Sequence, residues 1–321
     1  MTNNQIRLSL IVNKRYDKVA YLLLLPALLI IFIFRLYPII QAMGMSFYDW
    51  SIAGPLKFLW FKNYYRLLID PKFYQSLINT FWYVLGVVPL TVIISVIIAY
   101  LLNQKIKGQG IYRTIYYLPV VTSIVAISVV WRWIFNPDRG ILNAFFGLFD
   151  ITGLKWLNDS RGIFEVILNT KISGFFAGPS IALCCLMIMA IWHNIGYCII
   201  ICLAGLQNIP AQYYEAAKID GARGWHLFRD ITIPILSPTI FYLLITQSII
   251  AFNTFTPVYV MTQPPGGPLG TTSLVVYYLY EQSFRLWNLG YANAIAFVVF
   301  IIIFTLTKFQ QKFLEQRVYY E

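Results

Sequence analysis

Charge is what this sequence has least of. Of its 321 residues only 12% are Asp, Glu, Lys or Arg, where a water-soluble domain carries about 25%. The 59% apolar content therefore calls for a solvent other than water. The length would allow about two soluble domains, but the hydropathy favours one bundle of membrane-spanning helices. Only two histidines are present, and neither paired carboxylates nor a metal cluster accompanies them. A membrane enzyme built on those groups is excluded. The dipeptide Gly-Lys never occurs, so the G-x-x-x-x-G-K-S/T phosphate loop is absent and the chain does not hydrolyse ATP by that route. Cys184, Cys185, Cys198 and Cys202 share one apolar stretch without zinc-site spacing and read as small hydrophobes. No cleavable signal peptide stands out, because the first apolar run, from Val19, is too long and lacks a small-residue cleavage site.

What is there is basic and apolar. The net charge is +11, a balance that in a soluble protein would suggest nucleic acid. Here the cations are scattered among loops between apolar runs, which fits a membrane protein and no nucleic acid. Six runs approach the roughly 20 apolar residues that a spanning helix needs, at about 21–40, 76–102, 114–134, 180–203, 238–262 and 291–307. Lipid leaves no backbone group unpaired, so they must be helices or a closed barrel, and long unbroken apolar runs decide for helices. The expectation is an all-α membrane protein with an N-terminal segment over 1–20, a transmembrane domain over 21–307 and a tail over 308–321.

Lysine and arginine set the orientation. With an inside N-terminus, the short inside segments hold Arg7, Lys14, Arg15, Lys18, Lys105, Lys107, Arg113, Lys218, Arg223, Arg229, Lys308, Lys312 and Arg317. The outer connections, about 41–75 and 136–179, are longer and less densely basic. Both termini are therefore expected on the cytoplasmic side.

One inside loop is unlike the rest. Residues 205–237 are too polar to span and too long for a tight turn. They read as two short helices, the first capped by Asn208 with Pro210 in its first turn. Gly221, after Asp220, suits the left-handed conformation that ends a helix. A second helix over about 222–231 follows, and Pro234 and Pro238 mark the start of the next span. Ala216 and Ala217 keep one face small, so another surface can come close. Glu215 and Asp220 supply charges that fix orientation. Trp225, His226 and Phe228 add apolar bulk on a cytoplasmic helix, which makes the loop a docking element or a helix lying at the bilayer interface.

The string Glu215-Ala216-Ala217-Lys218-Ile219-Asp220-Gly221-Ala222, with Phe228, Ile231 and Pro234 after it, resembles the EAA loop of ABC importer permeases. The likeness covers nearly the whole chain and is closest to the carbohydrate branch, the first permease subunit of the maltose and glycerol-3-phosphate types. SFYDW at 46–50, NYYRLLIDPKFYQSLINT at 63–80, YYLPVVTS at 116–123, WRWIFNPDRGILN at 131–143, AGLQNIP at 204–210, GGP at 266–268 and GYANAIA at 290–296 carry it.

The resemblance implies a type I ABC importer permease fold with six spans in the cytoplasmic membrane of a bacterium or archaeon. It implies a second permease subunit, two ATP-binding subunits and an extracytoplasmic solute-binding protein as partners. ATP and magnesium would sit on the partner ATPase, with no cofactor on this chain. Glu215, Ala216, Ala217, Asp220, Gly221, Ala222, Phe228 and Pro234 would then couple the chain to that ATPase. A permease for a non-sugar solute and an ion-coupled secondary transporter are the alternatives. Against the latter, the second, fourth and fifth spans carry no charge.

Polar groups inside spans are costly and face a cavity or another helix. His193, Asn194 and Tyr197 share a face of the fourth span, and Gln247, Ala251 and Thr254 share one of the fifth. Amides bind hydroxyls and aromatic rings cover sugar faces, so two such faces meeting would suit a carbohydrate. The resemblance places the substrate path on His193, Asn194, Tyr197, Gln247, Ile250, Ala251 and Thr254, with Asn253 beside them. The competing view is that these groups only tie helices together.

Overall fold

The computed structural model describes residues 19–104, 107–151, 153–172 and 174–314. Residues 1–18 and 315–321, most of the N-terminal segment and half of the tail, lie outside the described residues. In chain order the elements are α1 (Val19–Met45), the strands β1 (Tyr48–Ser51) and β2 (Gly54–Phe58), α2 (Lys62–Leu68), α3 (Pro71–Leu102), α4 (Gln109–Val121), α5 (Ile124–Ile134), α6 (Ile141–Gly147), α7 (Ile163–Leu168), α8 (Ile181–Gln207), α9 (Ala211–Ile219), α10 (Leu227–Phe252), α11 (Thr256–Met261), α12 (Val275–Tyr280) and α13 (Leu289–Leu314). Among the described residues α1, α3, α8, α10 and α13 are each long and apolar enough to cross a bilayer, and α4 with α5 makes a bent sixth.

The chain divides into two units, one of residues up to Leu68 with Gln282–Phe297, the other of Ile69–Glu281 with the residues from Val298. In the first, α1 has mean hydropathy 2.6 and no buried residue in its apolar window. The antiparallel pair β1–β2 follows. Asn63 on α2 holds the turn before β1 by donating its amide to the carbonyls of Ser46 (2.8 Å) and Tyr48 (3.0 Å). The Arg66 guanidinium lies 4.3 Å over the Tyr291 ring. Gly290 is required here, since a Cβ would fall 2.0 Å from the Tyr48 carbonyl oxygen.

The second unit is built on α3 and α8, which run side by side in the same direction. Gly86 faces Met187, and the Ser95 hydroxyl donates to the Ile195 carbonyl at 3.3 Å. Each helix is capped as its sequence dictates. Asp70 accepts from the Lys72 and Phe73 amides with Pro71 in the first turn, and Ser180 accepts from Leu183 at 3.0 Å. Their contact buries one apolar cluster around Tyr83, Val87, Leu183 and Leu186, and another around Val92, Ala99, Cys198 and Leu203.

Three departures from a simple run of helices have local causes. The apolar run over 114–134 is not one straight helix, because α4 and α5 meet at 98°. Pro119 cannot donate, Thr122 turns extended (ψ 145°), and its amide bonds back to the Pro119 carbonyl. The run over 238–262 is split as well: α10 stops at Phe252, and α11 begins afresh with Pro257 in its first turn. At the other end α10 starts well before Pro238 and passes through Pro234 and Pro238 unbroken. The turn before Pro234, Leu227–Thr232, is wound as π-helix, which shifts the hydrogen-bond register where the proline has no N–H to give. α1 uses the same device, with a π turn over Phe32–Leu36 ahead of Pro38.

Candidate functional site

The polar hairpin of α9 and the start of α10 is held from beneath and bare on top. Asn208 closes α8, its amide bonding the Gly205 and Leu206 carbonyls, and Pro210 takes the position before α9. The end of α9 is a Schellman turn. The Gly221 amide donates to the Lys218 carbonyl (3.1 Å) and the Ala222 amide to the Ala217 carbonyl (2.9 Å). That pairing needs a left-handed residue, and Gly221 has φ +86°. Among the described residues, chain neighbours aside, nothing lies within 4 Å of where its Cβ would stand, so conformation and not space demands glycine.

Beneath the hairpin, Phe228 is buried in the cluster of Ala99, Leu102, Leu206 and Leu236, its ring 4.7 Å from Tyr100 and 5.4 Å from Trp225. The Tyr214 and Thr232 hydroxyls meet at 3.0 Å and tie α9 to α10. Burial pushes the Tyr214 phenol up, with the Thr232 hydrogen bond acting the other way. Above, Glu215, Ala216, Asp220 and Gly221 are exposed, and Ala217 and Ala222 are half-buried. Ile219 stands 87% exposed at the end of α9, a bare apolar side chain among charges. Pro234 is exposed on the first turns of α10. Among the described residues neither Glu215 nor Asp220 takes part in an ion pair; the nearest one on the hairpin is Arg229–Asp230 at 3.7 Å. The sequence groups eight residues here, and the geometry divides them: Phe228 is an anchor within the fold, while Glu215, Ala216 and Asp220 lie open to another surface.

The polar groups of the spans come together only in part. The Tyr197 hydroxyl on α8 lies 3.3 Å from that of Tyr242 on α10. His193 is half-buried, and Asn194 donates back to the Ala190 carbonyl of its own helix at 2.9 Å. On α10, Gln247 is 1% exposed and Ala251 is buried, whereas Ile250 is 46% exposed. The Gln247 Nε2 has no partner among the described residues. Asn253 is exposed and donates to the Ile249 carbonyl at 2.8 Å. The Thr254 hydroxyl donates back to the Ile250 carbonyl at 3.4 Å. Gln247 and Ala251 therefore face the packed interior, and Ile250 and Asn253 do not.

A second constellation, at the end of α3 away from α9, went unread in the sequence. The Tyr278 hydroxyl donates to Asp70 at 2.5 Å. Gln75 donates to the Leu269 carbonyl (3.0 Å), and Asn79 to those of Gly270 and Ser273 (each 3.0 Å). The Val275 amide donates to the Thr80 hydroxyl at 2.9 Å. These bonds clamp the segment after α11, which includes the 266–268 GGP turn, onto the first turns of α3. The partners are some 190 residues apart in the chain, beyond the reach of any local pattern. Beside the clamp lies an open cavity of about 520 Å³ whose wall includes Tyr74, Glu165 and Thr271.

Apolar spans joined to an exposed polar hairpin define a polytopic α-helical membrane protein. Residues 91–320 match the family model described as binding-protein-dependent transport system inner membrane component. The probable ABC transporter permease protein YesP of Bacillus subtilis (strain 168) is 36% identical, over 96% of this chain and 94% of its own length. The lactose transport system permease protein LacF of Rhizobium radiobacter is 33% identical over 93% of this chain and 94% of its own. A crystal structure of a bacterial ABC transporter involved in the import of the acidic polysaccharide alginate shares the fold, with TM-score 0.76 at 21% identity over 96% of this chain and 99% of that one. The chain belongs to the binding-protein-dependent family of ABC transporter permeases. It is an inner-membrane transport subunit and not an enzyme.

Proposed function

We propose that this chain is one of two permease subunits of an importer that carries a sugar or oligosaccharide across the cytoplasmic membrane, driven by two partner subunits that bind ATP and magnesium. The α9–α10 hairpin carries the reading. It is fixed from below by Phe228 and Tyr214, and it offers Glu215, Ala216, Ile219 and Asp220 to a partner. The lactose system for which one relative is named supports a carbohydrate cargo, as do the tyrosine hydroxyls that meet between α8 and α10.

With the hairpin facing the cytoplasm, both termini are cytoplasmic and the clamp at the far end of α3 faces the solute-binding protein. Closure of the ATP-binding subunits on ATP moves the hairpins they hold. The buried Phe228 passes that displacement to α3, α8 and α10, and the spans rock open to the outside; hydrolysis returns them. This is alternating access biased by ligands at a separate site. Tyr197 and Tyr242 would offer hydroxyl groups to the sugar along its path, and Gln247, here in the packed interior, its amide once the spans rock open.

The test is to express the chain with its candidate ATPase and second permease, as wild type and with Glu215→Ala or Gly221→Asp, and to measure subunit stoichiometry, binding-protein-stimulated ATP hydrolysis and sugar uptake. Assembly and stimulation in the wild type that the variants lose support the reading. Uptake by the chain alone, or variants that behave as wild type, refutes it.

A further inference from the structure

Five exposed apolar side chains follow one another along α3 at intervals of four residues or eight, Phe81, Leu85, Ile93, Ile97 and Leu101, in a stripe that winds about 200° around the helix. The rise from Phe81 to Leu101 is about 30 Å, and a bilayer's hydrocarbon core is about 30 Å thick. With 32 residues, α3 is about 48 Å long. Its first turns, which carry the clamp of Asp70, Gln75 and Asn79, therefore stand beyond the stripe. Phe81 marks the level at which hydrocarbon gives way to headgroups, at the end of the helix away from α9.

A separate stretch of chain is pinned at that same level. Phe175 packs 5.8 Å from Phe81 and 5.1 Å from Trp82, and Phe164 packs 6.0 Å from Trp82. These rings fix α7 and the turn Gly174–Ala177 against α3. The same stretch leaves Phe176 77%, Ile167 69% and Leu168 61% exposed. Water would be a poor solvent for three large apolar side chains on so short a segment, and the stripe they adjoin is already in hydrocarbon. Charged residues, Arg161, Glu165 and Lys171, flank them in sequence, as they do in segments that lie in the plane of an interface.

We infer that α7 and the Gly174–Ala177 turn form a lipid anchor, seated at the headgroup–acyl boundary with Phe176, Ile167 and Leu168 in the bilayer. Aromatic rings are favoured at that depth. The anchor sets the height of α3, and with it of the clamp above, relative to the membrane. It does so whatever solute the protein carries.

The experiment is spin labelling of Phe176→Cys and, separately, Ile167→Cys in the assembled importer. The host is liposomes of phosphatidylethanolamine and phosphatidylglycerol without the binding protein, and the unlabelled background is the wild type with its four native cysteines. Collisions with oxygen, which concentrates in lipid, are compared with collisions with a water-soluble nickel chelate. Leu269→Cys, on an 83% exposed turn, is the aqueous reference, and a spin-labelled lipid is the apolar one. The expected result is an oxygen-to-chelate ratio at both sites several-fold above that at Leu269 and approaching that of the lipid. A ratio equal to that at Leu269 at either site places the segment in water and overturns the inference. Low collision rates with both reagents, the mark of a protein neighbour such as a second permease, overturn it equally.

Discussion

Replacing Gly221 should grade the coupling of this importer by backbone conformation and not by side-chain size. The residue has φ +86° and closes the Schellman turn with its neighbour Ala222. Among the described residues nothing beyond its chain neighbours would touch a Cβ at this position, so the cost of a substitution is the cost of left-handed backbone alone. For an ordinary L-residue that is about 1–2 kcal/mol. It is greater for a β-branched residue, and it is reduced for asparagine, which visits this region. A penalty of about 1–2 kcal/mol lowers the population of the correctly closed hairpin about 5–30-fold. Binding-protein-stimulated ATP hydrolysis by the assembled complex should therefore fall in the order wild type, Gly221→Asn, Gly221→Ala, Gly221→Val, with subunit stoichiometry measured alongside. The reasoning is refuted if asparagine is worse than alanine, since bulk against the ATPase would then govern. It is refuted too if valine is as active as glycine.

Three further outcomes follow from other parts of the fold. Gln247→Leu removes a buried donor that has no partner among the described residues, a group that costs about 1–3 kcal/mol when unpaired. The unfolding midpoint in detergent should hold or rise while sugar uptake falls; a lower midpoint with normal uptake would make Gln247 structural only. Tyr278→Phe deletes the hydroxyl bound to Asp70, and a bond to a charged group contributes about 1.5–3 kcal/mol. Its midpoint should fall, and an unchanged midpoint contradicts the clamp. The Arg161 side chain bonded to Asp159 holds that carboxyl below its usual range, against the opposing effect of burial. A depressed folded-state value gives stability that is present above the ordinary Asp value of about 3.9 and is lost as pH falls through the folded value. The protection of amides around Ala182, whose N–H bonds the Asp159 carbonyl, relative to intrinsic exchange should fall in acid, and Arg161→Gln should move that fall to higher pH.

What the sequence revealed and what it hid divide along the length scale of the interaction. Gly221 was legible as a left-handed helix terminus because a glycine after a polar helix end has one local use. The spans were legible because apolar runs in a chain with so little charge leave few other solutions. The bend between α4 and α5 was not, since Thr122 and Ser123 interrupt neither hydropathy nor composition, and the break arises from the bond Thr122 makes to Pro119. Asn208 fits a helix start as well as a helix end, and it closes α8 because Pro210 already fills the position before α9. Phe228 has the look of a contact residue, but only the packing of Tyr100, Leu206 and Leu236 around it reveals an anchor. The clamp of Asp70, Gln75, Asn79 and Thr80 was out of reach, because each side is an ordinary polar segment until the fold joins them. Tyr197 was visible as a polar group in a span, while its pairing with Tyr242 required both helices in place.

The most direct test of the account is a photo-crosslinking residue placed at Ile219, the bare apolar side chain at the end of α9, in the importer assembled in membranes. The account predicts an adduct with the ATP-hydrolysing subunit, with yield that changes between nucleotide-free and ATP-bound states, and no such adduct from the same group at Leu269. No adduct from position 219, or an equal one from 269, would mean that the hairpin is not where ATP hydrolysis meets this chain.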